Sequence, residues 1–308
     1  MNNSLIICRT CGSKYNKQFI YANDLNQKKS DEVFMYYLCD NCKSIFLDPV
    51  PSNLKSYYGQ EYPAYARKNT KKNKNNYTNL EYAKLDIVKK YSLSGTLVEV
   101  GPAAGHFISL ASLNGYKVLG LEQDAECVSH IKDIYKLDVI CSDKPTEQLF
   151  KMRSYCDVIV AWHVIEHLQD LMGFIAAASM ALRKPSGVII VSAPNPNALS
   201  FKVFGRYWVH LDAPRHLTLI PIQALDKLMA EQGLERVECI YDDLVGLQLN
   251  RMGWQSSLMN LSRNNTLRWP LLAGFGKILA ISMSLLDRIQ GKGAAYTAVY
   301  KGKSIMAE

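Results

Sequence analysis

The chain has 308 residues, 48% of them hydrophobic and 21% charged, which suffices for one sizeable core plus a small satellite module and excludes a disordered chain. Its formal charge of +8 is uneven: Arg67, Lys68, Lys71, Lys72 and Lys74 crowd one Asn-rich stretch, while Arg251, Arg263, Arg268, Lys277, Arg288, Lys292, Lys301 and Lys303 populate the C-terminal region. Runs of this kind are more often solvated than bound, so charge alone assigns neither a nucleic acid nor a lipid as partner.

At the start, Leu5, Ile6 and Ile7 offer an apolar run far shorter than the core of a secretory signal, which predicts no export and a reducing cytoplasm. Cys8-x-x-Cys11-Gly12 and Cys39-x-x-Cys42 then form two knuckles, separated by about the length that two or three short strands need. Four thiolates in two such turns can close a tetrahedral shell around Zn²⁺ with no open position for substrate. Cys8, Cys11, Cys39 and Cys42 are therefore expected to hold a structural zinc in a zinc-ribbon-like module, residues 1–66, too small to fold on core burial alone. A redox dithiol would need a βαβ context that this segment lacks. Cys127, Cys141, Cys156 and Cys239 are scattered singly and read as small buried hydrophobes.

Residues 67–78 (RKNTKKNKNNYT) read as a basic flexible linker. From 79 the pattern changes. Leu80, Ala83, Ile87, Val88 and Tyr91 recur at helical spacing, and β-branched runs at 96–100, 116–122, 137–140, 156–162, 187–193 and 234–241 follow. Helical patterns fall between most of them, near 105–114, 124–135, 170–183 and 221–232. Strands alternating with helices predict an α/β fold with a Rossmann-like, mostly parallel sheet over 79–308, covered on both faces.

The run 96–100 leads into Gly101-Pro102-Ala103-Ala104-Gly105, then a helix, and the next strand ends in Glu122. Small residues let backbone approach a ligand, a helix N-terminus offers free N–H groups, and an acid at that distance can accept from both ribose hydroxyls. The combination predicts a nucleoside cofactor. Glu99 beside the turn disfavours a pyrophosphate and favours the ammonium of a methionine moiety, so S-adenosylmethionine fits better than NAD.

Further along, His163-Val-Ile-Glu166-His167 follows an apolar strand at the carboxyl end of the expected sheet. The pattern H-x-x-E-H also occurs in certain zinc proteases, but there it sits inside a long helix with a further acidic ligand. Tyr207, Trp208, His210, Asp212, Pro214, Arg215 and His216 form a second cluster, whose mix of apolar bodies and a few polar groups suits an acceptor pocket. After Tyr241 the strand–helix alternation stops, which predicts an inserted helical or lid region at 242–292. Its segment 269–286 is the most apolar of the chain, yet Lys277 and interspersed Gly and Ser favour a buried or interfacial helix over a membrane span.

At these motifs the chain resembles the class I S-adenosylmethionine-dependent methyltransferases: VEVGPAAGHF is similar to their first motif and GLEQDAE to their second. CDVIVAWHVIEHLQD, LRKPSGVIIVSAPNPNA and HLDAPRHLTLI look like the bacterial subgroup of small-molecule and surface-polysaccharide biosynthesis, and DPVP with YYGQEYPAY is similar to the N-terminal part of such proteins. The resemblance covers roughly 96–241 and resumes at 294–302. It implies a seven-stranded sheet with an antiparallel last strand, Glu99, Gly101 and Gly105 at the methionine end, Glu122 on the ribose and Asp143 on the adenine side. It also places the histidine motif beside the sulfonium.

Methyl transfer from a sulfonium is an in-line displacement, so positioning can supply most of the rate, and a base is needed only where the acceptor sheds a proton. His163, His167 and His216 are the candidates. The acceptor expected is a small molecule or sugar, with a peripheral membrane contact through 251–292 as a further expectation. Two other readings compete. An RNA methyltransferase would grip nucleic acid through the zinc module and Arg67 to Lys74, but the Asn/Asp-Pro-Pro-aromatic and Pro-Cys signatures of base methylation are missing. Against a non-catalytic zinc-ribbon scaffold, Glu99 and Glu122 with the glycine turn argue for an intact cofactor site, and transfer of a labelled methyl group separates binding from turnover.

Overall fold

The computed structural model describes residues 6–58, 77–262 and 269–303. Most of the expected linker, 67–76, lies outside the described residues. Its last two residues are not linker: Thr78 caps the helix that follows, its side chain accepting from the Leu80 N–H while Glu81 reaches back to the Thr78 N–H, and the Tyr77 hydroxyl meets Ser109.

In the N-terminal module, β1 (Asn16–Asn23) and β2 (Val33–Cys39) form an antiparallel hairpin, and β3 (Ile45–Leu47) pairs with β2. Helix α1 (Asn79–Tyr91) opens the larger layer. There follow β4 (Gly95–Val100), α2 (His106–Leu113), β5 (Tyr116–Glu122), α3 (Ala125–His130), β6 (Val139–Cys141), α4 (Pro145–Phe150), β7 (Val158–Trp162), α5 (Leu171–Ala181), β8 (Val188–Pro194) and α6 (Leu199–Phe204). The remaining elements are β9 (Thr218–Leu219), α7 (Ile222–Glu231), β10 (Leu234–Ile240), α8 (Leu244–Asn260), α9 (Trp269–Asp287) and β11 (Ala295–Gly302). The larger sheet has seven strands in the order β10-β11-β8-β7-β4-β5-β6, with β11 antiparallel to both neighbours and the rest parallel.

Alternation along the central strands buries both faces. Val98 and Ile159 pack on one side with Phe174 and Ile175 of α5 and Leu225 of α7, while Leu97 and Val158 pack on the other with Leu85 and Val88 of α1 and Leu110 of α2. Of the single cysteines, Cys127 and Cys156 are buried and Cys239 is half-buried, but Cys141 is exposed because it ends the sheet's edge strand β6.

The N-terminal module does not stop at residue 66 in space. β9 completes its sheet by pairing with β3, and the Leu47 N–H donates to the Leu217 carbonyl. Phe34, Tyr36 and Leu47 share one apolar cluster with Trp208, Leu211, Leu217 and Trp254, so the module and the loop after β8 bury each other. A fully buried Arg215 locks the join: its guanidinium donates to Asp24 of the module and to Asp212, both at 2.7 Å. Among the described residues of 242–292, α8 packs on α9.

Candidate functional site

A cleft of about 1460 Å³ opens at the carboxyl ends of β4, β5, β6 and β7. That is where open parallel sheets bind ligands, and it exceeds the roughly 300–1,000 Å³ of a single small-molecule pocket.

One half is built from the turn after β4. Gly101 (φ +71°) and Gly105 (φ +79°) take the left-handed backbone that glycine adopts without cost, and Ala103 joins them at φ +48°. Packing forbids a side chain as well: a Cβ at Gly101 would sit 2.8 Å from Val164 Cγ2, and one at Gly105 2.6 Å from Ile131 Cγ1. Glu122, at the end of β5, holds this turn, accepting from the Ala103 N–H at 2.8 Å and the Asp124 N–H at 2.9 Å. Burial raises its carboxyl above the usual range, and those N–H groups pull it back. Glu99 is wholly buried at the end of β4 with Oε2 unpartnered, and burial pushes it up to about 8, with Lys84 opposing. Asp143 reaches the cleft rim, where Lys55 of the N-terminal module pairs with it at 2.8 Å and lowers its pKa. Four of the five expected cofactor positions, Glu99, Gly101, Glu122 and Asp143, line one half of the cleft, while Gly105 does not line it and caps the helix entry.

The other half collects the histidines. His163 follows β7 at φ +57°, strained for a non-glycine residue, and turns into the cleft with its Nε2 unpartnered. The motif continues as a short turn, Ile165–His167, rather than the long helix of a protease site. His167 Nδ1 stands 2.9 Å from the Arg215 carbonyl and 3.0 Å from the Tyr58 hydroxyl, and burial lowers its pKa to about 4, which makes it a poor base. His216 Nδ1 stands 2.8 Å from the His210 carbonyl. Of the second sequence cluster, His210, Asp212 and His216 line the cleft, whereas Trp208, bonded to Ser200 Oγ, and Arg215 are buried structural groups.

Sequence reasoning named no residue in two walls of this half, although it expected a lid within 242–292. Asn26, Lys55 and Tyr58 come from the N-terminal module, and Leu249, Met252 and Met259 come from α8. Nothing local in those segments signals a ligand; they face the cleft because of pairings far apart in the chain.

The cysteine quartet lies apart from the cleft. Cys8 Sγ to Cys42 Sγ and Cys11 Sγ to Cys39 Sγ are both 3.6 Å, too long for a disulfide. All four sulfurs lie within 4.8 Å of one another, which suits the ~3.8 Å edge of a tetrahedron with Zn–S bonds near 2.3 Å. The two knuckles repeat one geometry. The Cys8 N–H donates to Ser13 and the Cys39 N–H to Ser44, while Gly12 and Lys43, one place after each second cysteine, take positive φ and donate back to Cys8 and Cys39.

Comparison with known proteins adds the chemistry. The profile of a methyltransferase domain family matches residues 65–239. A ubiquinone biosynthesis O-methyltransferase of Rhodopseudomonas palustris (strain TIE-1) is 26% identical over 178 residues, 52% of this chain but 65% of that relative, so the match spans less than two thirds of its length. In structure, a SAM dependent methyltransferase from Archaeoglobus fulgidus aligns with a TM-score of 0.50 at 16% identity, over 72% of this chain and 93% of that one. Phosphoethanolamine N-methyltransferase 2 of Haemonchus contortus, solved in complex with S-adenosyl-L-methionine, aligns at 0.53 and 15% identity, over 94% of this chain and 69% of that one.

Proposed function

This chain belongs to the methyltransferase domain family and is an S-adenosylmethionine-dependent methyltransferase, and from that premise we propose that it methylates a hydroxyl of a small molecule or sugar, as in surface-polysaccharide or related biosynthesis. The observation that carries this reading is the division of one cleft into a glycine-turn half and a half walled by His163, Glu166 and His216. A sulfonium needs no activation, but a hydroxyl must lose its proton. In the reading proposed, His163 takes that proton, an oxygen lone pair attacks the methyl carbon, and the C–S bond electrons return to sulfur as S-adenosylhomocysteine leaves. The O-methyltransferase among the relatives supports oxygen as the acceptor atom. H163A is expected to lower turnover by about 10²–10⁴-fold with S-adenosylhomocysteine affinity unchanged. Equal loss of both in a folded variant would remove His163 from the chemistry.

Glu99 links cofactor binding to pH. Raised to about 8, its carboxyl is protonated in the free protein at pH 7, and the ammonium of a bound methionine moiety favours the ionised form. Binding should therefore release close to one proton, and affinity should fall toward tenfold per pH unit as pH drops from about 8 to 6. Calorimetry in buffers of different ionisation heat reads the proton; uptake, or no pH dependence, would contradict this role.

The cysteine quartet is proposed to hold a structural Zn²⁺, and the outer face of α9 to rest on an anionic lipid surface. Leu271, Phe275, Ile278, Ile281 and Leu285 are exposed along one side of α9, Ile281 at 72% and Leu285 at 75%, while Gly276 and Ala280 pack inward. Pro270–Asp287 is long and apolar enough to cross a membrane, yet its opposite side is committed to α8, and Asp287 accepts from Trp254 at 2.8 Å. Charge favours lipid over a second copy: among described residues 244–262 and 269–293 the one acid, Asp287, is buried, and Arg251, Lys277, Arg288 and Lys292 are all cations. The paired substitution I281E with L285E should weaken binding to phosphatidylglycerol vesicles by roughly 100-fold. No vesicle binding by the unaltered chain, or a concentration-dependent dimer that the pair abolishes, would overturn it.

A further inference from the structure

The turn after β7 and the loop before β9 bring together three groups, Glu166, His167 and His216, that the proton transfer assigned to His163 does not use. Glu166 is 1% exposed, and neither carboxylate oxygen has a hydrogen-bond partner. A buried carboxylate left in that state is costly unless something positive meets it. His163 Nδ1 is 3.4 Å from Oε1 and His216 Nε2 4.0 Å, neither aligned to donate.

Two of the imidazoles beside it, those of His167 and His216, are prepared in the same way. Each has Nδ1 against a backbone carbonyl, His167 on Arg215 at 2.9 Å and His216 on His210 at 2.8 Å. A carbonyl only accepts, so Nδ1 carries the hydrogen in both rings and Nε2 keeps a lone pair. This is the outer-shell arrangement that fixes the tautomer of metal-bound histidine. One ligand atom from each of Glu166, His167 and His216 lies within 4.8 Å of the other two. Charge runs the same way. Two carboxylates, Asp24 and Asp212, meet one guanidinium, Arg215, and Glu166 stands 4.0 Å from His216 with no cation paired to it, so with neutral imidazoles this group carries two negative charges in excess.

We propose that Glu166, His167 and His216 bind one divalent transition-metal ion at the acceptor end of the cleft. Two imidazoles and one carboxylate suit Zn²⁺, Fe²⁺ or Mn²⁺ and leave coordination positions open, unlike the closed cysteine quartet. The open positions face a cleft with room for an acceptor, so the ion's ligands there would be oxygen atoms, such as adjacent hydroxyls of a sugar or phenol. Its role toward the acceptor rests on the methyl-transfer reading above; cation binding itself does not.

The test uses the full chain, purified with zinc on its thiolates, equilibrated with Co²⁺ and desalted. Metal content should show one cobalt per chain beyond that zinc, with visible ligand-field bands and no intense sulfur-to-cobalt charge transfer. E166Q and H216A should each lower cobalt affinity by at least ~100-fold while leaving the zinc count unchanged. Should E166Q fail to fold, H216A and H167A carry the comparison. Absence of metal beyond the thiolate zinc after exposure to Co²⁺, Zn²⁺, Fe²⁺ and Mn²⁺, or retention unaffected by folded variants, overturns the proposal. S-adenosylhomocysteine binding on the same samples separates the two ideas: cofactor binding without cobalt sinks the metal site alone, and cobalt binding without the cofactor sinks the methyl-transfer reading alone.

Discussion

Replacing Glu122 by alanine should weaken S-adenosylhomocysteine binding by about 100-fold or more, because a buried charged acceptor contributes about 1.5–3 kcal/mol per hydrogen bond and two ribose hydroxyls would reach it. The carboxylate has a second task. It already fixes the glycine turn through the Ala103 and Asp124 N–H groups, so the variant loosens the backbone on which the methionine moiety would lie. E122Q keeps the size and one acceptor oxygen, and should fall between the two. Calorimetry checks the order. A Glu122→Ala variant that binds like the unaltered chain would move the ribose elsewhere.

The second large effect should come from the cysteine quartet. C39S, or prolonged chelation, should unfold the N-terminal module, since structural zinc in small modules is worth on the order of 10 kcal/mol or more. Damage would not stop there. The module contributes Asp24 to the buried Arg215 lock, β3 to the pairing with β9, and Tyr58 to the His167 ring. Breaking one partner of a buried ion pair typically costs ~3–5 kcal/mol, so acceptor-side order should fail with the zinc while the glycine turn, held by β4 and β5, survives. The expected signature is loss of methyl transfer with S-adenosylhomocysteine binding retained to within about tenfold. Thiol titration coupled to a zinc indicator reads metal release. Full activity in a zinc-free chain would show the quartet to be dispensable.

Most of the large sheet was legible in the sequence because its signals are local. Runs such as 96–100 and 156–162 are apolar enough to be buried strands, and the glycines after Val100 serve a turn whose φ values require them. The cysteine spacing was equally local, since each knuckle closes on itself. What was not legible depends on contacts distant in the chain. Asp24 and Arg215 are 191 positions apart, and neither segment alone indicates that it is half of a lock. The same applies to the module's extent: the boundary expected at residue 66 lies outside the described residues, and β9, far along the chain, joins the module's sheet. The bounds of helix α8 within the expected helical region were blurred by Gly246 and Gly253, which lower helix propensity yet are needed for close packing: a Cβ at Gly253 would lie 2.9 Å from Ser200 Oγ. In α9 the apolar pattern runs around most of the helix, so sequence distinguished neither its packed side nor its exposed one.

Within the candidate site, residue types were easier to read than roles. His163, His167 and His216 all reach one half of the cleft, but their hydrogen bonds separate them. His167 and His216 each turn Nδ1 to a backbone carbonyl, whereas His163 Nε2 has no partner and its backbone is strained into place. Sequence spacing carries no information about which ring nitrogen is occupied, and that is where the chemistry divides.

Titration calorimetry of the zinc-loaded chain with S-adenosylhomocysteine, and in parallel with NAD, probes the foundation of all these assignments. One molecule of the thioether should bind per chain, with the dinucleotide giving no heat, because the buried Glu99 carboxyl can ionise to meet an ammonium and offers a pyrophosphate no positive partner. Tight uptake of NAD with none of S-adenosylhomocysteine would contradict the account.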